Sequence, residues 1–213
     1  MRSKLEQWFW SGACTAFYTS WHETRAARDM LEVPDWLIHP QGTILPSTVR
    51  EARFDGNFLQ RTQRRHGSVY KSISALLRKN GAIDLATGEA LSEVNFFADP
   101  IECHHLFPTA YAKRQAIPIS KYNCLVNLTP LSQLSNKKIG GSAPSQYLKA
   151  LEEQGISRQR LNVILRSHLI EPETMWDDDF ESFLSTRTQN LLELVSQAMG
   201  KVPASALSKI DPN

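Results

Sequence analysis

The chain has 213 residues, 41% of them hydrophobic, and 24 Lys and Arg against 22 Asp and Glu give a formal net charge of +2. That balance excludes a disordered chain and leaves enough apolar material for one large core or two small packed ones. Three scattered cysteines, Cys14, Cys103 and Cys124, exclude a disulfide framework. No apolar run approaches the roughly 20 residues of a membrane span, so a cytoplasmic protein with no membrane association is expected.

In chain order, Leu5, Trp8, Phe9, Ala13, Ala16 and Phe17 recur at helical spacing and predict a first amphipathic helix with these residues inside. Ser20-Trp21-His22-Glu23 has the form of a capping box, which predicts a second helix ending before Pro34. Residues 35–67, broken by Pro40, Gly42, Pro46 and Gly56, read as irregular. Ser68 opens a third helix with Val69, Ile73, Leu76 and Leu77 on its buried side and Gly81 as its left-handed stop. Ala82-Ile83-Asp84-Leu85 and Ala90-Leu91, separated by Thr87-Gly88, read as a small hairpin. Asp99-Pro100 then leads into a strand that delivers Cys103-His104-His105-Leu106-Phe107-Pro108, and residues 109–120 read as a loop. A second strand starts near Asn127, and a short helix carrying Asn136 comes after it. Further helices are expected from Pro144 to Gly155, from Ser157, and from about Asp178 to Met199. His168 is expected to satisfy free carbonyls at a helix end.

The order His104-His105, Asn127, Asn136 resembles the HNH, or ββα-metal (His-Me finger), nucleases. The runs HHLFP, VNLTPLS and SNKKIGG, with Ser145-Gln146-Tyr147-Leu148 after them, resemble the C-terminal nuclease half of GmrSD-type restriction proteins and of the SspE phage-defence proteins. Phe9-Trp10-Ser11, Ser167-His168-Leu169-Ile170 and Asp178-Asp179-Phe180-Glu181 extend the likeness over most of the chain. The resemblance implies an α+β, mostly helical protein with a ββα-metal core flanked by N- and C-terminal helices. Its division would be a helical subdomain over 1–96 and the nuclease core with C-terminal helices over 97–213. It further implies a divalent-metal-dependent DNA endonuclease, nicking or cutting both strands, in restriction of phage or modified DNA.

Within that family His104 takes the position usually held by an Asp and, with Asn136, would bind one divalent ion: Mg²⁺, Mn²⁺, Ni²⁺ or Zn²⁺. Asn127 would hold the loop that carries His105. Full-length relatives have a ParB-like nucleotidase half that senses modified DNA. Its DGQQR motif is absent, since Asp55-Gly56-Asn57-Phe58 begins like it and departs, so the nuclease half alone is expected, with such a half as a partner.

The chemistry also emerges from the residues. Phosphodiester hydrolysis needs a base for water and a cation for charge growing on oxygen. Histidine, with an unperturbed pKa of about 6.5, is available as a neutral base near pH 7, and His105 takes that role. Neighbouring strand residues face opposite ways, so His104 and His105 serve one site only if the chain is leaving the strand there, as Pro108 indicates. A His and Asn ligand set carries no formal charge, which shifts preference towards borderline metals and makes metal binding weak without DNA. A zinc site from Cys103, His104, His105 and Cys124 is the rival, disfavoured because no Cys-x-x-Cys pair is present.

Charge points the same way. From Cys103 to Leu151 there is no Asp or Glu, while Lys113, Arg114, Lys121, Lys137, Lys138 and Lys149 are basic, a one-signed field suited to DNA phosphate. A second basic stretch runs from Arg50 to Lys79, and six carboxylates crowd Glu171 to Glu181. The alternatives are a catalytically silent DNA-binding or regulatory module, and an HNH nuclease acting on RNA.

Overall fold

The computed structural model describes residues 1–19, 22–39, 44–62, 67–91 and 101–201. They are mostly helical, with one two-stranded antiparallel sheet, an α+β composition. The chain divides into two compact units. One comprises Met1–Asp55, His66–Ile73 and Leu192–Asn213, and the other Gly56–Arg65 and Ser74–Leu191.

In the first unit, α1 (Arg2–Cys14) packs against α2 (His22–Ile38) and α3 (Ser47–Glu51). Its buried side carries Trp10, Ser11, Gly12 and Cys14. Phe9 is 54% exposed and Leu5 39%, so the inward face is displaced from the predicted one. Apolar residues lie on both sides of this helix, and spacing alone does not say which side its neighbours cover. The helix α2 continues through Pro34 instead of stopping before it. Val33 and Trp36, both buried, anchor the chain on either side of the proline, and that packing outweighs one missing backbone donor. Ser20 and Trp21 of the capping box lie outside the described residues.

The second unit starts with α4 (Gly56–Arg61), one short helix within a stretch whose sequence reads as irregular. The helix α5 (Ser68–Lys79), whose residues up to Ile73 belong to the first unit and the rest to the second, buries Val69, Ile73, Leu76 and Leu77 as predicted, and Gly81 comes after it with φ 83°. The 82–91 hairpin is present in reduced form, as a single bridge between Ile83 and Ala90, with Gly88 at φ 71° in its turn. The Asp99-Pro100 approach to the first strand lies outside the described residues.

Strand β1 (Ile101–His105) pairs with β2 (Leu128–Ser132). Between them the expected loop contains α6 (Thr109–Arg114) and α7 (Ile119–Tyr122), each with a proline as its N-cap residue, Pro108 and Pro118. Each proline stands just outside its helix, where a missing N–H costs no intrahelical bond, so these residues open helices where a loop is expected. A 3₁₀ turn, Leu125–Asn127, leads into β2, and α8 (Gln133–Ile139) comes directly after that strand. Ser132 caps α8 by accepting the Ser135 N–H.

Then come α9 (Pro144–Glu153), α10 (Arg158–Ser167), α11 (Pro172–Trp176) and α12 (Phe180–Ala198). The helix α11 lies inside the acidic run, where charge masks the burial of Thr174, Met175 and Trp176. A core of Phe107, Tyr111, Phe180 and Phe183 packs ring against ring. A single cut at residue 96 does not describe these units, because the 82–91 hairpin belongs with the strands. Its Asp84, fully buried, accepts hydrogen bonds from Ser132 N at 2.8 Å and Ser135 Oγ at 2.7 Å, as well as from its own turn. Burial alone would raise this carboxyl's pKa, but the donors outweigh it and hold it below the usual carboxylate range.

Candidate functional site

The chain order strand, strand, helix places the motif residues on β1, the turn before β2, and α8. His104 and His105 both lie inside β1, opposite Thr129 and Leu128, and the chain has not left the strand at either. By strand alternation the two rings leave opposite faces of the ribbon, and their neighbours differ. His104 is 7% exposed, and its Nε2 lies 3.7 Å from Oε2 of Glu102, two residues back on the same face. His105 is half-buried, with Nε2 3.3 Å from Asn123 Oδ1 and its ring edge-on to Tyr122. An amide oxygen only accepts, so in this contact Nε2 is the donor.

The two residues after His105 are held tightly. Leu106 N donates to Asn127 O at 3.0 Å, and Leu106 O accepts from the buried Tyr147 hydroxyl at 3.0 Å. Phe107 N donates to Asn127 Oδ1 at 2.8 Å, while Asn127 Nδ2 donates to Phe107 O and Tyr122 O, both at 2.9 Å. Every backbone polar group of Leu106 and Phe107 therefore has a protein partner, and one fully buried asparagine supplies most of them.

Asn136 is half-buried on α8, which packs on both strands. Lys137 is exposed and Lys138 half-buried in the last turn of that helix, and Lys113 is exposed at the end of α6. Arg114 donates to Gly141 O at 2.8 Å, and Lys121 pairs with Glu181 at 2.6 Å, so both have partners within the protein. Among the described residues no three of His, Cys, Asp or Glu gather so as to hold a metal ion. The four-ligand zinc site from Cys103, His104, His105 and Cys124 is accordingly not assembled.

His168 does not serve its own helix end. Its Nε2 donates to Ile83 O at 2.8 Å and its Nδ1 accepts from Thr129 Oγ1 at 2.8 Å, so it ties the hairpin to β2. The buried Arg187 in turn donates to Thr129 Oγ1 and to His168 O, each at 3.2 Å. Burial first, and Arg187 nearby, push the His168 pKa down to about 4 against bonding to Ile83 O and the Asp84 charge, which raise it. The folded value lies below the ordinary 6.5, so the neutral ring's stabilisation is complete above pH 6.5 and is lost as the pH falls towards 4. The loss is roughly 3 kcal/mol. Urea unfolding across this window should give a steeper decline for the native chain than for His168→Gln; parallel curves would contradict the assignment.

Glu102, Asn123, Asp84 and Arg187 carry no sequence signal, since none belongs to a motif run and each acts through a neighbour distant in the chain or through strand alternation.

No protein-family model matches the chain, and no solved structure does. The uncharacterized protein MJ0686 of Methanocaldococcus jannaschii is 23% identical over 218 aligned positions. The alignment takes in 90% of this chain but 36% of the archaeal protein, so the chain spans little more than a third of that relative's length. Among the described residues no helix is long and apolar enough to cross a membrane.

Proposed function

We propose that this chain is a divalent-metal-dependent DNA endonuclease of the HNH type, acting in restriction of phage or modified DNA. The observation that carries the reading is the locked turn after β1: His105 stands at the end of that strand, and the Asn127 side chain binds Phe107, two residues on, through two hydrogen bonds and Tyr122 through a third. A base must keep its lone pair in one place through the reaction, and a turn held in this way supports that role.

His105 accepts a proton from water at Nδ1, and the resulting hydroxide oxygen forms a bond to phosphorus. The bond from phosphorus to the 3′ oxygen breaks, and that oxygen takes a proton from solvent, leaving 5′-phosphate and 3′-hydroxyl ends. Asn123 accepts from Nε2 and keeps the ring in the tautomer that does this. Because His104 and His105 leave opposite faces of β1 here, the His104 end of the strand would have to turn on DNA binding for both to meet one phosphate; a metal would then be held by His104 and Asn136, with Glu102 beside His104 able to add the carboxylate oxygen that the motif lacks. This mixed nitrogen and oxygen set suits Mn²⁺, Ni²⁺ or Zn²⁺ and tolerates Mg²⁺. When bound, the ion would neutralise charge growing on the phosphate and on the departing oxygen.

Lys113, Lys137 and Lys138 would meet DNA phosphates, and Arg114 and Lys121 would exchange their present partners for them. A ParB-like half, in the same or another chain, would supply recognition of modified DNA. The purified chain is expected to relax supercoiled plasmid with Mn²⁺, Ni²⁺ or Mg²⁺ and to be silent in chelator; undiminished cleavage in EDTA would overturn the assignment.

A further inference from the structure

Arg187 of α12 is fully buried. Its Nη1 donates to the carbonyl oxygens of Val126 and, at 3.0 Å, Leu128, the two residues that flank Asn127. Its Nη2 donates to Thr129 Oγ1 and its Nε to His168 O. The guanidinium is planar with donors in a fixed fork, so holding both flanking carbonyls fixes the orientation of the peptide between them. That peptide carries the Asn127 side chain, which in turn binds Phe107 N and Phe107 O. A continuous line of hydrogen bonds thus runs from α12 through the 3₁₀ turn to the residues next to His105.

We infer that Arg187 is a positioning residue for the candidate site: it sets Asn127, and through Asn127 the turn that holds His105. The part of this that concerns catalysis rests on the nuclease reading. A residue serving only general packing has no reason to place its donors on both sides of one asparagine. The Phe183 ring centroid lies 5.9 Å from the guanidinium carbon. Lysine cannot replace this arrangement, because an ammonium is a point donor that lacks the planar fork.

The test uses the full chain with Arg187→Lys and Arg187→Met, each first shown to be folded by circular dichroism and thermal melting. The first readout is hydrogen exchange at individual amides without metal or DNA. The Phe107 amide should exchange about tenfold faster in Arg187→Lys, while Ile164 and Leu165 in α10 change by less than about twofold. The second is plasmid cleavage, in which kcat should fall about tenfold or more with KM within about threefold. If Arg187→Met fails to fold, Arg187→Lys carries the test alone. Unchanged exchange at Phe107, or an equal acceleration at α10, overturns the inference. If the native chain does not cleave DNA at all, the nuclease reading fails, and the exchange readout still decides whether Arg187 sets the turn.

Discussion

Replacing His105 with alanine is expected to slow DNA cleavage by about 10²- to 10⁴-fold, the range for loss of a positioned acid–base group. The variant should keep its fold, because the ring is half-buried and its bond to Asn123 lies at the edge of the site, not in the core. It should also still bind metal in the presence of DNA, since the proposed ligands are His104, Glu102 and Asn136. Single-turnover nicking at saturating metal measures the effect. A rate within about threefold of the native one would remove His105 from the role of base.

The next largest effect should be on stability. Asn127→Ala leaves Phe107 N, Phe107 O and Tyr122 O without the side chain that now satisfies them. Each buried backbone group stranded in this way costs about 1–3 kcal/mol, and the three are coupled, so about 3–5 kcal/mol is expected in urea unfolding. Asn127→Asp is the informative partner: its oxygen can still accept from Phe107 N, but it has no donor for the two carbonyls. With its buried carboxylate set against those two carbonyl oxygens, it should lose at least as much stability near neutral pH as Asn127→Ala. A loss below about 1 kcal/mol for the alanine variant would show that water replaces these bonds and that the turn after β1 is not held by this residue.

Much of the helical frame is legible because it depends on local chemistry. Val69, Ile73, Leu76 and Leu77 repeat at helical spacing, Gly81 stops the helix, and Ser157 caps the one that begins after Gly155. The strands β1 and β2 and the helix after them are also marked by short runs in the sequence. Legibility ends where one element has to know about another. The buried face of α1 depends on α2 and α3, and Pro34 is tolerated because Val33 and Trp36 are anchored by packing.

The site divides in the same way. Asn127 is recognisable as a motif residue, and in the structure its side chain bonds to Phe107, just beyond His105. The relative direction of His104 and His105 is not legible. Pro108 suggests from the sequence that the strand has ended, but it serves as the N-cap residue of α6, while both histidines stay in register with β2. Arg187 looks like any polar residue on an amphipathic helix until β2 is seen beside it, and His168 looks like a helix cap until Thr129 and Ile83 are in place.

The central claim is that proton acceptance belongs to His105 and cation binding to the set containing Asn136, and titrating Mn²⁺ against nicking rate in two variants tests it most directly. Asn136→Ala deletes a neutral oxygen ligand, so its activity should return towards the native rate as Mn²⁺ rises, with the half-saturating concentration displaced upwards. His105→Ala lacks a proton acceptor, which no concentration of cation restores, and its rate should stay low across the whole titration. Recovery of His105→Ala at high Mn²⁺, or an Asn136→Ala curve that overlies the native one, would contradict the account.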